Sequence, residues 1–268
     1  MRHAALTPDA ATARCGHRAH DAEAGLRVGG LTPFTSIDFP GRLSAVVFVQ
    51  GCPLRCGYCH NPHLQRRAGD AAPSWPQTRD WLRRRAGLLD AVVFSGGEPT
   101  VDPMLGAAMA EARAMGFGVG LHTAGTHPRR LREVVHLADW VGLDVKAPLR
   151  DAELYDRITG RRGSARRASA SLDIVLRWAK DYELRTTVDW SWLDDAALRR
   201  LGDDLAERGA RNFALQMARR QGHPAPLADP RDPAPSTVDA LRRQFAGFTL
   251  RRDPSAALGR PDTPSGAS

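Results

Sequence analysis

Short apolar, β-branched runs alternate along this chain with longer stretches of helical period. The runs are SAVVFVQG from residue 44, AVVFSGG from 91, GVGLHTAG from 118, DWVGLDVK from 139, ELRTTVDW from 183 and NFALQM from 212. Each is short and bounded by glycine or polar residues, the pattern of a strand buried on both faces. Between and after them a 3.6-residue period predicts helices near 77–88, 103–115, 128–138, 166–180, 194–208 and 236–246. Six strand-then-helix units predict an α/β domain with a parallel sheet and outer helices, either a doubly wound open sheet or an arc of a barrel. Residues 1–24 and 253–268 are rich in Ala, Pro, Ser and charge and carry no apolar period. They are expected to be disordered ends around one domain at 25–252.

Either topology puts chemistry at the carboxyl ends of the strands. The unusual residues gather there: three cysteines after the first run, SGGEPT after the second, HTAGTH after the third and DVK at the end of the fourth. Four successive strand ends on one rim predict a single active site. No G-x-G-x-x-G follows the first strand and no Walker loop occurs, which removes the signatures of the two common nucleotide folds.

Composition narrows the class. The formal charge is +8, but arginine pairs are scattered from Arg129-Arg130 to Arg251-Arg252. A solvated basic exterior is therefore expected, and nucleic-acid binding is not. No apolar run reaches the length of a membrane span and the first 24 residues hold no apolar leader, so a cytoplasmic protein without a membrane partner is expected. Only two lysines, Lys146 and Lys180, stand against 36 arginines, and only two asparagines, Asn61 and Asn212, occur. A compact ammonium fits where a planar fork does not, which singles out Lys146.

Three of the four cysteines, Cys52, Cys56 and Cys59, fall within GCPLRCGYCHNP at 51–62. An odd triplet in a cytosolic chain is a metal-ligand set before it is a disulfide framework. Two chemistries fit. Structural zinc needs a fourth ligand, which His60 or His63 supplies in a Cys₃His set. Three thiolates on one loop also suit three irons of a 4Fe-4S cubane, leaving the fourth iron open. Cys15, in the N-terminal extension, is remote from this loop in sequence.

The C-x₃-C-x₂-C loop, with Tyr58 before its last cysteine, resembles that of the radical S-adenosylmethionine (SAM) enzymes. The resemblance implies a partial (β/α)₆ TIM-like barrel, one 4Fe-4S cluster held by Cys52, Cys56 and Cys59, and SAM on the fourth iron through its amino and carboxylate groups. In that family SAM is cleaved to methionine and a 5′-deoxyadenosyl radical, which takes a hydrogen from the substrate. SGGEPT then resembles the SAM-binding motif, with Gly96 and Gly97 allowing close backbone approach and Glu98 recognising the methionyl ammonium.

TSIDFPGR and the stretch 25–101 around it resemble the glycyl-radical-enzyme activases, most densely the activating proteins of anaerobic ribonucleoside-triphosphate reductase. This subgroup implies Asp144 and Lys146 beside SAM, Arg185 reaching it from the fifth strand, and a monovalent-cation site at a stretch usually reading Asp-Thr-Asn-Gly. Here that stretch reads HTAG: Thr123 is retained, but His122 and Ala124 depart from it. A neutral imidazole supplies less negative field than a carboxylate, so the cation is left open. Gln216 stands where a histidine is often found. The implied partners are a glycyl radical enzyme, docked transiently, and flavodoxin or ferredoxin as electron donor. Asp38, in the turn, is a candidate contact to the partner's glycine loop, or a turn-former alone. Action on a small molecule or another protein, and a structural zinc module, are the competing readings.

Overall fold

The computed structural model describes residues 25–67, 73–218 and 231–252. The expected disordered ends, and Cys15, lie outside the described residues. Eight strands form one sheet: β1 (Val28–Thr35), β2 (Ser44–Val49), β3 (Ala91–Gly96), β4 (Gly118–Thr123), β5 (Trp140–Asp144), β6 (Tyr182–Val188), β7 (Asn212–Met217) and β8 (Gly247–Arg251). They lie side by side in chain order, β1 antiparallel to β2 and every later pair parallel. A doubly wound sheet reverses its strand order part-way; this order never reverses, so the sheet is an arc of a barrel. Among the described residues β8 does not pair with β1, and the arc stays open on one side.

All six expected strands are present, and one is added at each edge. β1 reads VGGLTPFT, with no continuous apolar run, and Pro33 sits where an edge strand tolerates a missing donor. Gly29 packs closely on Leu64, beside the exit of the cysteine loop: a Cβ there would lie 2.4 Å from Leu64 Cδ2, so that side chain would have to shift. Five of the expected helices appear as α1 (Trp75–Arg83), α2 (Leu105–Ala114), α3 (Pro128–Val134), α6 (Asp195–Ala206) and α7 (Pro235–Gln244). Between β5 and β6, where one helix was expected, there are two, α4 (Ala152–Thr159) and α5 (Ser164–Trp178). α4 is short and set by its ends: the Asp151 side chain accepts from Leu154 N, and Gly160, at φ +61°, closes it.

Alternation along each strand separates two cores. Val47, Phe94, Leu121, Leu143, Leu184 and Phe213 face the helices and join Leu105, Met109, Leu131, Leu172 and Leu198 in the main core. Each such buried side chain stabilises by roughly 1.5–3 kcal/mol relative to exposure. The opposite, concave face carries Val46, Val93 and Trp140, covered by Phe39 from the β1–β2 loop. That loop folds into the arc as a plug, with Phe39 and Trp140 ring centroids 5.8 Å apart. Above the plug the concave face turns polar.

Candidate functional site

The cysteine loop leaves β2 and is pinned to the protein by its own backbone. Gly51 N donates to Leu64 O (2.8 Å), Cys52 N to Gln65 O (3.1 Å), Arg55 N to Thr159 O (2.8 Å) and Cys59 N to Cys56 O (3.2 Å). Asn61, noted for its rarity, precedes the short 3₁₀ helix Pro62–Leu64; its carbonyl accepts from Leu64 N (3.0 Å) and its side chain makes no cap bond.

SGGE is joined to the root of this loop. Gly97 N donates to Val49 O and Glu98 N to Gly51 O, each at 2.9 Å. A Cβ on Gly96, at φ +117°, would lie 2.4 Å from Val49 N, and one on Gly97 would lie 2.4 Å from Gly51 O. Both glycines are thus demanded by the approach of two backbone segments of the protein itself. Glu98 is fully buried: its Oε1 accepts from Thr100 N (3.1 Å), Thr100 Oγ1 (2.6 Å) and Thr123 Oγ1 (2.6 Å), and its Oε2 from Ala124 N (2.8 Å). Burial pushes its carboxyl up, and these four bonds oppose that shift.

Next along the arc, Asp144 and Arg185 are register partners on β5 and β6. The Arg185 guanidinium meets Asp144 Oδ1 at 3.0 Å, and Lys146 Nζ lies 3.5 Å from Asp144 Oδ2. Gly142 makes room for it, since a Cβ there would stand 2.8 Å from Arg185 Cζ. Burial works to raise the Asp144 carboxyl, but Arg185 and then Lys146 outweigh it and hold the group below its usual range. Burial alone would disfavour the Lys146 ammonium; Tyr58, Asp144 and Cys56 around it reverse the balance and keep it charged.

His122 Nε2 lies 2.8 Å from the Asp38 carbonyl oxygen, so it donates there and leaves Nδ1 as an acceptor, 3.5 Å from Ser95 Oγ. Burial, then the Arg185 charge, lower its pKa to about 3, and the ring is neutral. Both oxygens of Asp144 already face cations, and a neutral ring stands where the cation site was expected, a poor setting for a further monovalent cation. The Asp38 carboxylate itself accepts from Thr35 Oγ1 (2.6 Å) within the turn. Gln216 accepts from Arg251 (3.2 Å).

These groups line one cavity of about 210 Å³, into which Cys52, Cys56, Cys59, Tyr58, Gly96, Gly97, Thr123, Asp144, Lys146 and Arg185 all contribute. Of the predicted site residues only Glu98 lies behind its wall. Ser95, Ala124 and Thr187 also line it; Ser95 and Thr187 share the concave parity of His122 and Arg185, a signal available in the strand alternation. Burial pushes the Cys52 thiol up to about 12, with Glu98 adding to it, and raises Cys56 against the pull of Lys146. Cysteines bind metal as thiolates, so loading the loop releases protons. Tyr58 is buried under Lys146, its hydroxyl without a partner among the described residues. Three soft donors beside a polar cavity fit an iron–sulfur cluster with a ligand on its open iron.

Comparison with known proteins agrees. A Methanocaldococcus jannaschii protein, provisionally named a glycyl-radical enzyme activating enzyme, is 37% identical over 124 residues, 44% of this chain and 50% of that one. The pyruvate formate-lyase-activating enzyme of Clostridium pasteurianum is 33% identical over 140 residues, 50% of this chain and 58% of that one. The chain thus spans about half the length of the curated relatives it matches. Streptococcus suis SuiB, solved with its precursor peptide SuiA, shares the fold at a TM-score of 0.60 and 15% identity, over 92% of this chain and 55% of that one. The profile of the Radical SAM superfamily matches residues 46–188, from β2 through β6 and so across every strand end that builds the cavity; the chain belongs to that superfamily.

Proposed function

We propose that this chain activates a glycyl radical enzyme, taking a hydrogen atom from the α-carbon of one glycine in a partner protein, with anaerobic ribonucleoside-triphosphate reductase as that partner. The observation that carries the reading is the open side of the arc. The polar cavity lies on a concave face that, among the described residues, no strand closes, a form that can admit an extended glycine-bearing loop. Similarity to named activating enzymes supports the same class.

In this reading Cys52, Cys56 and Cys59 hold a 4Fe-4S cluster, which when reduced by one electron supplies the homolytic cleavage of SAM. Lys146 faces the SAM carboxylate, held charged and in place by Asp144, which Arg185 in turn fixes from β6. Gly96 and Gly97 offer backbone groups beside the cysteines. Glu98, already bonded four times, acts on the methionyl ammonium through its field and through the placement of Thr123 and Ala124. A flavodoxin or ferredoxin delivers the electron in a transient encounter. Structural zinc is disfavoured: among the described residues no three His, Cys, Asp or Glu side chains converge closely enough for one ion.

The test is direct. Protein prepared without oxygen should be brown and carry about four irons per chain, and Cys56→Ala should lose both colour and SAM cleavage. Incubated with SAM, reductant and the reductase, it should produce a glycyl doublet in electron paramagnetic resonance. A colourless, zinc-loaded chain would sink the enzyme reading; a brown, SAM-cleaving chain that leaves every candidate reductase silent would sink the partner.

A further inference from the structure

Among the described residues most long-range arginine contacts end on a carboxylate, as in Arg113 with Asp139, Arg208 with Asp173, Arg251 with Glu183 and Arg252 with Asp232. The turn between α4 and α5 is different. Arg161 and Arg162 in the turn, Arg157 at the end of α4 and Arg166 and Arg167 at the start of α5 follow one another, and among the described residues none has a carboxylate partner. Asp156, the acid in their midst, is spent on the amides of Gly163 (2.8 Å) and Ser164 (2.9 Å).

This turn lies on the cysteine loop. Arg55 N donates to Thr159 O at 2.8 Å, and a Cβ on Gly160 would stand 3.0 Å from Arg55 Cβ. Arg55, itself exposed, donates from Nη1 to Cys52 O (2.7 Å) and Leu54 O (2.8 Å), and Arg161 reaches Pro53 O at 3.5 Å. Three consecutive carbonyls of the metal-binding loop are thereby capped by uncompensated guanidinium groups. Arg161 and Arg167 also flank a small slot beside Leu54, and with Arg130 they lower the pKa of His127, which burial lowers first. The sum is a local positive rim against the cysteine loop, within the basic exterior expected from the scattered arginine pairs.

We infer that this rim, Arg55 with Arg161, Arg162, Arg166 and Arg167, is the docking surface for an acidic one-electron carrier protein. The inference rests on the radical SAM reading and adds a place for the donor. The chemistry balances: an anionic flavin hydroquinone gives up one electron to become the neutral semiquinone, and the oxidised cluster gains that electron. Complementary charge steers such an encounter and raises its rate by about 10–10³-fold at low ionic strength. A nucleic acid fits the rim less well, because the stretch 157–167 offers no aromatic side chain on which a base can stack.

Arg162→Glu combined with Arg166→Glu tests it, since both residues are exposed and neither touches the cysteine loop or the cavity. The readouts are binding of a reduced flavodoxin, its dependence on salt, and bleaching of the reconstituted cluster by flavodoxin and, separately, by dithionite. The double variant should weaken flavodoxin binding and slow flavodoxin-driven bleaching by about tenfold or more at low salt, flatten the salt dependence and leave dithionite bleaching unchanged. The corresponding Lys pair should behave as the parent. Equal flavodoxin binding and bleaching in parent and variant would overturn the inference, as would a parent that binds no flavodoxin, or an oligonucleotide that loses binding in the variant while flavodoxin does not. Failure of dithionite to reduce the parent would instead count against the radical SAM reading, and flavodoxin binding would still judge the rim.

Discussion

At the scale of single residues, the two glycines of SGGE are explained without a ligand. Gly97 is closed in by Gly51 O at 2.4 Å and Leu64 O at 2.9 Å from a hypothetical Cβ, all backbone atoms that cannot rotate away. Gly97→Ala should therefore destabilise the cluster-free protein by about 2–3 kcal/mol or more, measured by urea unfolding. Unchanged stability with loss of SAM binding would return the glycine to the ligand. Asp139 makes a different case. Its carboxylate binds Lys180 Nζ (2.8 Å), Arg113 Nη1 (2.8 Å) and Val119 N (2.9 Å), and although burial works to raise its pKa, these partners lower it from 3.8 to about 2. A depressed folded-state pKa stabilises above the unfolded value and is lost as pH falls through the folded one. Because the pairs are solvent-screened, Asp139→Asn should cost about 1 kcal/mol at pH 7, with the gap to the parent closing between about pH 4 and pH 2. A gap that persists at pH 2 would mean lost packing or hydrogen bonding, not charge.

Among the elements, the β1–β2 hairpin shows how local cues and tertiary packing divide the work. Its tip is apolar, yet Phe34 is 58% and Ile37 73% exposed while Phe39 is 6% exposed against Trp140. Phe39→Ala should cost about 3–5 kcal/mol in thermal or urea unfolding, whereas Phe34→Ala and Ile37→Ala should stay within about 0.5 kcal/mol. Similar losses for all three would show that the loop does not plug the arc. The six inner strands were legible because burial on both faces writes them as continuous apolar runs. β1 and β8 were not, because edge strands are half exposed and carry no such run; in β8, GFTLR has no fully buried residue. α4 escaped for a related reason, since eight residues hold about two turns, too few for the period to stand out.

For the molecule as a whole, the site was more legible than the boundaries of the fold. Residue types that are rare in this chain, three cysteines on one loop and Lys146 amid arginines, marked two of the five strand ends that meet at the cavity. What the linear pattern hid was direction: Glu98 turns inward to four donors, and His122 donates from Nε2 to the backbone carbonyl of Asp38, 84 residues earlier. Such facts depend on which segments meet across the concave face, and periodicity says nothing about that. No helix among the described residues is long and apolar enough to cross a membrane. The backbone bonds from Gly51, Cys52, Arg55 and Cys59 have one more consequence. In a zinc finger the metal organises the chain, and its removal unfolds the domain. Here the polypeptide supplies that organisation, so a chain that loses its centre is expected to keep the receptacle and to need refilling without refolding; amide hydrogen exchange at Arg55 unchanged on stripping the metal would check it.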